Sequence, residues 1–234
     1  VKSRTTTVDE PDTELSSTLR EIYHSVVEMK KGETAPLVEA EVQRGTDVQV
    51  ILDDALIAAM EEVGNLFADG DYFVPEMLMA AMEMKSGLEI IRPILTASGV
   101  PPRGRVVIGT VRGDVHDIGK NLYGMMMEGA GYEVIDIGVR KSAEEFIDAL
   151  EEHEVDILGM SAMLTTTMPY MKIVIDEMIQ RGIRNNYTVL VGGAPLNEKF
   201  CEFVGADAYC IDAGAGVMSA NAAIAERNQE QDNN

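Results

Sequence analysis

The residues best suited to chemistry lie together in one short run, Gly113-Asp114-Val115-His116-Asp117-Ile118-Gly119-Lys120. An imidazole can offer one nitrogen to a metal while the other donates a hydrogen bond. A carboxylate accepting that bond fixes the tautomer and raises the basicity of the ligating nitrogen. Asp114 and His116, two residues apart, can form such a pair. Gly119 lets a bulky ligand come close to the backbone where a helix begins. A loop histidine beside an aspartate that caps a helix, with no cofactor at all, accounts for the same residues. The run carries neither the GxGxxG fingerprint of dinucleotide sites nor the GxxxxGK[ST] pattern of a P-loop. One histidine cannot build a zinc site, which needs three or four protein ligands. His24 and His153 fall on helix faces, and Cys201 and Cys210 lack CxxC spacing and read as buried thiols. A metal held by His116 must therefore bring most of its own ligands, which points to a macrocycle.

The elements around this run come in two kinds. Residues 106–111 form a continuous apolar stretch, the pattern of a strand buried on both faces. Further short runs follow at 132–138, 155–160, 187–191 and 207–211. Helical stretches separate them at 118–131, 142–153, 168–181, 197–204 and 216–225. Alternating strand and helix implies a doubly wound five-stranded parallel sheet, flavodoxin- or Rossmann-like, over residues 105–227. Ligands in such sheets bind at the carboxyl ends of the strands, where the His116 loop falls. The preceding residues, 13–98, have helical periodicity throughout. Leu15, Leu19, Ile22 and Val26 make one face; Leu37, Val38 and Val42 follow Thr34 and stop at Gly45. Thr46 or Asp47 caps a third helix ending near Gly70, and Pro75 suits the first turn of a fourth. This half reads as a four-helix bundle. Gly99-Val-Pro-Pro-Arg-Gly104 is a linker, and the polar ends, 1–12 and 228–234, are expected to be flexible.

The chain has 234 residues, with 40 acidic and 19 basic side chains, a formal charge of −21. That balance excludes a nucleic-acid partner and an anionic membrane surface. No signal sequence and no uninterrupted apolar run of about 18 residues is present, so a soluble cytoplasmic protein is expected. The fifteen methionines sit mostly at helical spacing and read as core. No nucleophile with a general base stands out, so the chain is not expected to be an enzyme by itself.

Three spaced elements together resemble the cobalamin-binding corrinoid proteins of methyltransferase systems, relatives of the cobalamin module of methionine synthase. Asp114-Val-His116-Asp-Ile-Gly119 matches the family's Asp-x-His-x-x-Gly. After 41 residues comes Ser161-Ala-Met163, where the family has Ser-x-Leu, and after 28 more comes Gly192-Gly193. The helical half, with Tyr72-Phe73-Val74-Pro75-Glu76, is similar to the family's cap. The resemblance covers roughly residues 15–225 and implies a cobalamin, as methylcobalamin or the Co(I) corrinoid, bound base-off with His116 as the lower ligand of cobalt. Asp114 tunes His116, and Gly113, Val115, Asp117, Ile118 and Gly119 complete the loop. Ser161, Met163, Thr165, Gly192, Gly193 and Ala213 line a slot for the displaced nucleotide tail. Phe73 and Met77, with Met79, are cap candidates over the upper corrin face. The implied role is a methyl carrier between a substrate-specific methyltransferase and a second one using tetrahydrofolate or coenzyme M, kept active by a reductive activase. A cobalamin-dependent sensor and the cobalamin subunit of a mutase are the alternatives. The acidic charge and the short stretch ahead of the helical half disfavour the first, and the four-helix cap disfavours the second.

Overall fold

Five parallel strands form one sheet in the order β2-β1-β3-β4-β5 in the computed structural model, which describes residues 17–98 and 101–232. The strands are β1 (Arg105–Val111), β2 (Glu133–Lys141), β3 (Ile157–Ser161), β4 (Thr188–Gly192) and β5 (Ala208–Cys210). β1 leads on one side to β2 and on the other to β3, so strand order reverses beside it. The crevice at that reversal is where such sheets take ligands. β1 is buried along nearly its whole length, as its unbroken apolar run requires, whereas edge strand β2 is half-exposed. The register lines up Thr110, Ser161, Gly192 and Cys210 in one row near the carboxyl ends.

Helices cover both faces. α6 (Ile118–Gly129) and α10 (Ala213–Asp232) pack on one face over Val106, Ile108, Ile157 and Leu190. α7 (Ala143–Glu152), α8 (Tyr170–Gln180) and α9 (Glu198–Val204) pack on the other over Val107, Leu158, Val189 and Val191. Ser142 opens α7 with a capping box, accepting from the Glu145 amide while the Glu145 carboxylate accepts from the Ser142 amide. A short 3-10 turn, Arg184–Asn186, precedes β4.

The helical half contains α1 (Ser17–Val27), α2 (Thr34–Gln43), a continuous run from α3 (Val48–Val50) through a π-helical segment (Ile51–Ile57) into α4 (Ala58–Ala68), and α5 (Val74–Ser98). Counting that run as one helix gives the expected four. Asp47 caps it, accepting from the Gln49 amide at 2.9 Å. Pro75 sits in the first turn of α5, where its missing N–H costs nothing. The bundle core of Ile22, Val26, Ile51, Leu56, Met84 and Ile91 continues into Leu122 and Met126 of α6, so the two halves share apolar packing. Residues 13–16, the start of the first expected helix, lie outside the described residues, as do 1–12, 99–100 and 233–234. Residues 228–232, expected as a flexible tail, continue α10 instead. Their Glu, Gln and Arg neighbours are good helix formers, and the Asp212 side chain caps the start by accepting from the Ala215 amide at 2.8 Å.

Candidate functional site

The loop between β1 and α6 is built around one fully buried carboxylate. Gly113 turns the chain at φ +86°, and the Asp114 amide donates back to Val111 O at 3.1 Å, which drives the Asp114 side chain inward. Asp114 Oδ1 accepts from the His116 amide at 3.1 Å and pairs with His116 Nδ1 at 2.7 Å. Oδ2 accepts from the Met163 amide at 2.8 Å, the Leu164 amide at 3.3 Å and the Thr167 hydroxyl at 2.6 Å. Burial alone would raise the Asp114 pKa. The bonds from Thr167, His116 and Met163 outweigh it and hold the carboxyl well below its usual range. An ionised carboxylate only accepts, so His116 Nδ1 must carry the proton. In the neutral ring Nε2 then keeps its lone pair. The outer side is braced as well: the Thr110 hydroxyl donates to His116 O at 3.0 Å, and the Arg140 amide, at φ +61°, donates to Asp114 O at 3.1 Å.

Beside this loop a cavity of about 580 Å³ opens at the carboxyl ends of the strands. Of the residues expected from the sequence, Val115, His116, Asp117, Ile118, Gly119, Ser161, Met163, Gly192, Gly193 and Ala213 line it. Asp114 stands buried behind the wall, and Gly113, which is exposed, does not line the cavity. A Cβ on Gly119 would meet no protein atom within 4 Å, so nothing within the chain's own packing calls for glycine there. Gly193 is different: at φ +136° a Cβ would lie 1.9 Å from Ala162 O, so the two strand-end loops touch backbone to backbone. Among the described residues no group of three His, Cys, Asp or Glu side chains is placed to hold a metal ion. A metal here would receive one imidazole from the chain.

Four expected residues fall elsewhere. Thr165 is exposed and does not line the cavity; Thr167, folded back by its amide bond to Leu164 O at 3.0 Å, is the threonine that meets Asp114. Met77 is fully buried inside the helical bundle. It belongs to the stripe Met77, Ala80, Met84, Leu88 and Ile91, so it faces the bundle core rather than a ligand surface. Phe73 and Met79 are exposed, at 64% and 47%, and do not line the cavity. Sequence reasoning passed over Tyr123, Gly159 and Cys210, which do line it. A tyrosine or cysteine at helix or strand spacing carries no signal that separates cavity wall from core.

Fold and site together define a parallel-sheet binding protein with a strand-end cavity beside one strongly oriented imidazole. Two models of the B12 binding domain match the chain, one over residues 104–222 and one over 18–92. A corrinoid protein of Desulfitobacterium hafniense is 36% identical over 210 residues, 88% of this chain and 97% of that one. Dimethylamine corrinoid protein 1 of Methanosarcina acetivorans is 37% identical over 209 residues, again 88% and 97%. Among solved structures, a cobalamin-binding protein from D. hafniense superposes with TM-score 0.74 at 28% identity, covering 88% of this chain and 98% of that one. The methanol:cobalamin methyltransferase complex of Methanosarcina barkeri gives TM-score 0.79 at 30% identity, covering 92% of this chain and 81% of that one. The chain belongs to the B12-binding family, as a cobalamin-binding corrinoid protein.

Proposed function

We propose that this chain is a methyl carrier: it binds cobalamin base-off with His116 as the lower ligand of cobalt, and takes a methyl group from a substrate-specific methyltransferase to a second methyltransferase with a folate or thiol acceptor. The observation that carries this reading is the Asp114–His116 pair at 2.7 Å beside the cavity. When bound, the corrinoid supplies a cobalt centre able to take up and release a methyl group, so the hard chemistry belongs to the cofactor. The chain's part is to hold and orient. Asp114, fixed by Thr167 and the Met163 amide, keeps the proton on Nδ1 and aims the imidazole. Ser161, Gly192, Gly193 and Ala213 would receive the nucleotide tail in the cavity. The partners follow from the relatives, which are named as corrinoid proteins for dimethylamine and as part of a methanol:cobalamin methyltransferase complex. Specificity for the methyl donor then rests with the partner, and the chain itself needs no nucleophile or general base. No helix among the described residues is long and apolar enough to cross a membrane.

The test is an ultraviolet–visible spectrum after mixing with hydroxocobalamin and desalting, beside His116→Ala. The expected result is retained corrinoid in the wild type with a spectrum altered in the variant. Wild-type protein that retains no corrinoid, in refolding and cobinamide controls as well, would overturn the reading.

A further inference from the structure

A buried cation stands four residues after His116. Lys120, in the first turn of α6, has a side chain only 3% exposed; its ammonium is ion-paired with Asp136 of β2 and donates to Asn121 Oδ1 at 2.7 Å. Withdrawing an ammonium from water is costly, and an apolar residue of similar length would pack α6 on the sheet without that cost. The lysine therefore provides something that packing does not, a fixed polar link. The link leads to the end of β2. Asp136 Oδ1 accepts from the Gly138 amide at 2.8 Å while Oδ2 faces Lys120. Just there β2 leaves regular pairing: its register with β1 shifts between Ile108 and Gly109 and again between Gly109 and Val111. Gly138 turns at φ +89° and Arg140 at φ +61°, a left-handed conformation that an arginine keeps only when its surroundings impose it. That bend presents the Arg140 amide to Asp114 O, to which it donates at 3.1 Å.

Asp114 is thus held from two sides. From the loop after β3, the Met163 amide, the Leu164 amide and the Thr167 hydroxyl hold its carboxylate; from the end of β2, the Arg140 amide holds its carbonyl. We infer that Lys120 is a positioning residue for His116: through Asp136 it fixes the bent end of β2, and the Arg140 amide passes that order to Asp114 and so to the imidazole. The link is a property of the corrinoid-free chain. Its consequence for the cofactor rests on the reading that His116 ligates cobalt.

The experiment compares the corrinoid-free full chain with Lys120→Met, which keeps the stem and removes the ammonium, with Asp136→Asn, and with the double variant. Hydrogen exchange is read by nuclear magnetic resonance at the Arg140 amide and at the His116 Nδ1 proton. The amides of Leu158 and Val189, both fully buried in the sheet, report overall stability. Dissociation constants for hydroxocobalamin come from absorbance after equilibrium dialysis. In Lys120→Met, exchange at Arg140 and at Nδ1 is expected to quicken about tenfold more than at Leu158 and Val189, the usual worth of one hydrogen bond. Asp136→Asn should do the same, and the double variant should add little. Each should lose about tenfold in affinity for hydroxocobalamin, as ligand-orienting partners do. Exchange at Arg140 or at Nδ1 that keeps pace with Leu158 and Val189 would overturn the inference, because the lysine would then serve the fold as a whole. Losses that add in the double variant would overturn it too, since Lys120 would not act through Asp136. Wild-type protein that retains no corrinoid brings down the carrier reading, while the exchange rates still decide whether Lys120 orders His116.

Discussion

Replacing Asp114 with Asn tests the central feature of the site, because all five contacts of the carboxylate are ones in which it accepts. An amide keeps one acceptor oxygen and adds two N–H groups. If its oxygen stays at the Oδ2 position, the Met163 and Leu164 amides remain paired. Thr167 also keeps its bond, donating its hydroxyl to that same oxygen. The new N–H groups then face His116. Its backbone amide loses its acceptor, a cost of about 1–3 kcal/mol, and Nδ1 can accept only if the ring proton moves to Nε2. The opposite orientation leaves two backbone amides unpaired and costs more. With the charge assistance also lost, the variant should be less stable by about 3 kcal/mol, a fall of roughly 6–12 °C in melting temperature for a chain of this size. The corrinoid-free protein serves for both readouts: calorimetry for stability, and nitrogen-15 spectra of the imidazole for the tautomer. A variant that still carries the proton on Nδ1, or that melts within about 2 °C of the wild type, would refute the reasoning. Cobalamin affinity should fall by about 10- to 100-fold, as for outer ligand-orienting partners generally.

Gly193→Ala should destabilise by about 3 kcal/mol or more, because a Cβ at φ +136° would lie 1.9 Å from Ala162 O; a melting curve that matches the wild type would show that the two loops can separate freely. Glu145 accepts from the Ser142 amide, Lys141 and the Ser142 hydroxyl, which together hold its pKa down from 4.5 to about 2. A depressed carboxylate contributes stability that is complete above its unfolded value and fades as pH falls through the folded one. Glu145→Gln should therefore flatten the decline in melting temperature between pH 4.5 and 2, and unchanged curves would count against the capping box. Met77→Ala should cost about 2–5 kcal/mol by opening a cavity in the bundle, while Phe73→Ala should stay within about 0.5 kcal/mol. Equal effects in urea titrations would contradict their placement.

The sheet was legible because burial on both faces leaves a mark in sequence. The run expected at 106–111 is β1, Arg105–Val111, and the others fall within a few residues of their strands. The Asp114–His116 pair was legible because its members share one turn. Its other partners were not: Met163 and Thr167 approach Asp114 across 49 and 53 residues, and only the pairing of β1 with β3 creates that proximity. The π-helical segment Ile51–Ile57 also escaped, since Ile51, Ala55 and Ile57 suit either hydrogen-bond register and packing makes the choice. Met77 shows the limit from the other direction. A methionine on a helix looks alike in core and ligand surface until its neighbours on the stripe are known.

The same packing explains why the helical half is more than a lid laid on a finished binding domain. α6 packs against the sheet, α10 and the bundle. Met127 faces the sheet, Leu122 and Met126 join the bundle core, and its first turn, Ile118-Gly119-Lys120, follows directly on His116. Lys120 is itself buried, bonded to Asn121 Oδ1 at 2.7 Å and ion-paired with Asp136 of β2, which ties the start of α6 to the sheet. Opposite it, Lys85 of α5 pairs with Glu128 near the end of α6 at 3.1 Å. The N-terminal end of α6 is thus tied to β2, and the rest is held between the sheet on one face and the bundle on another. A rearrangement of the helical half would meet the load-carrying contacts of Leu122, Met126 and Glu128 before it reached the imidazole, and the Asp114 network, which draws only on strand-end loops, would keep its shape.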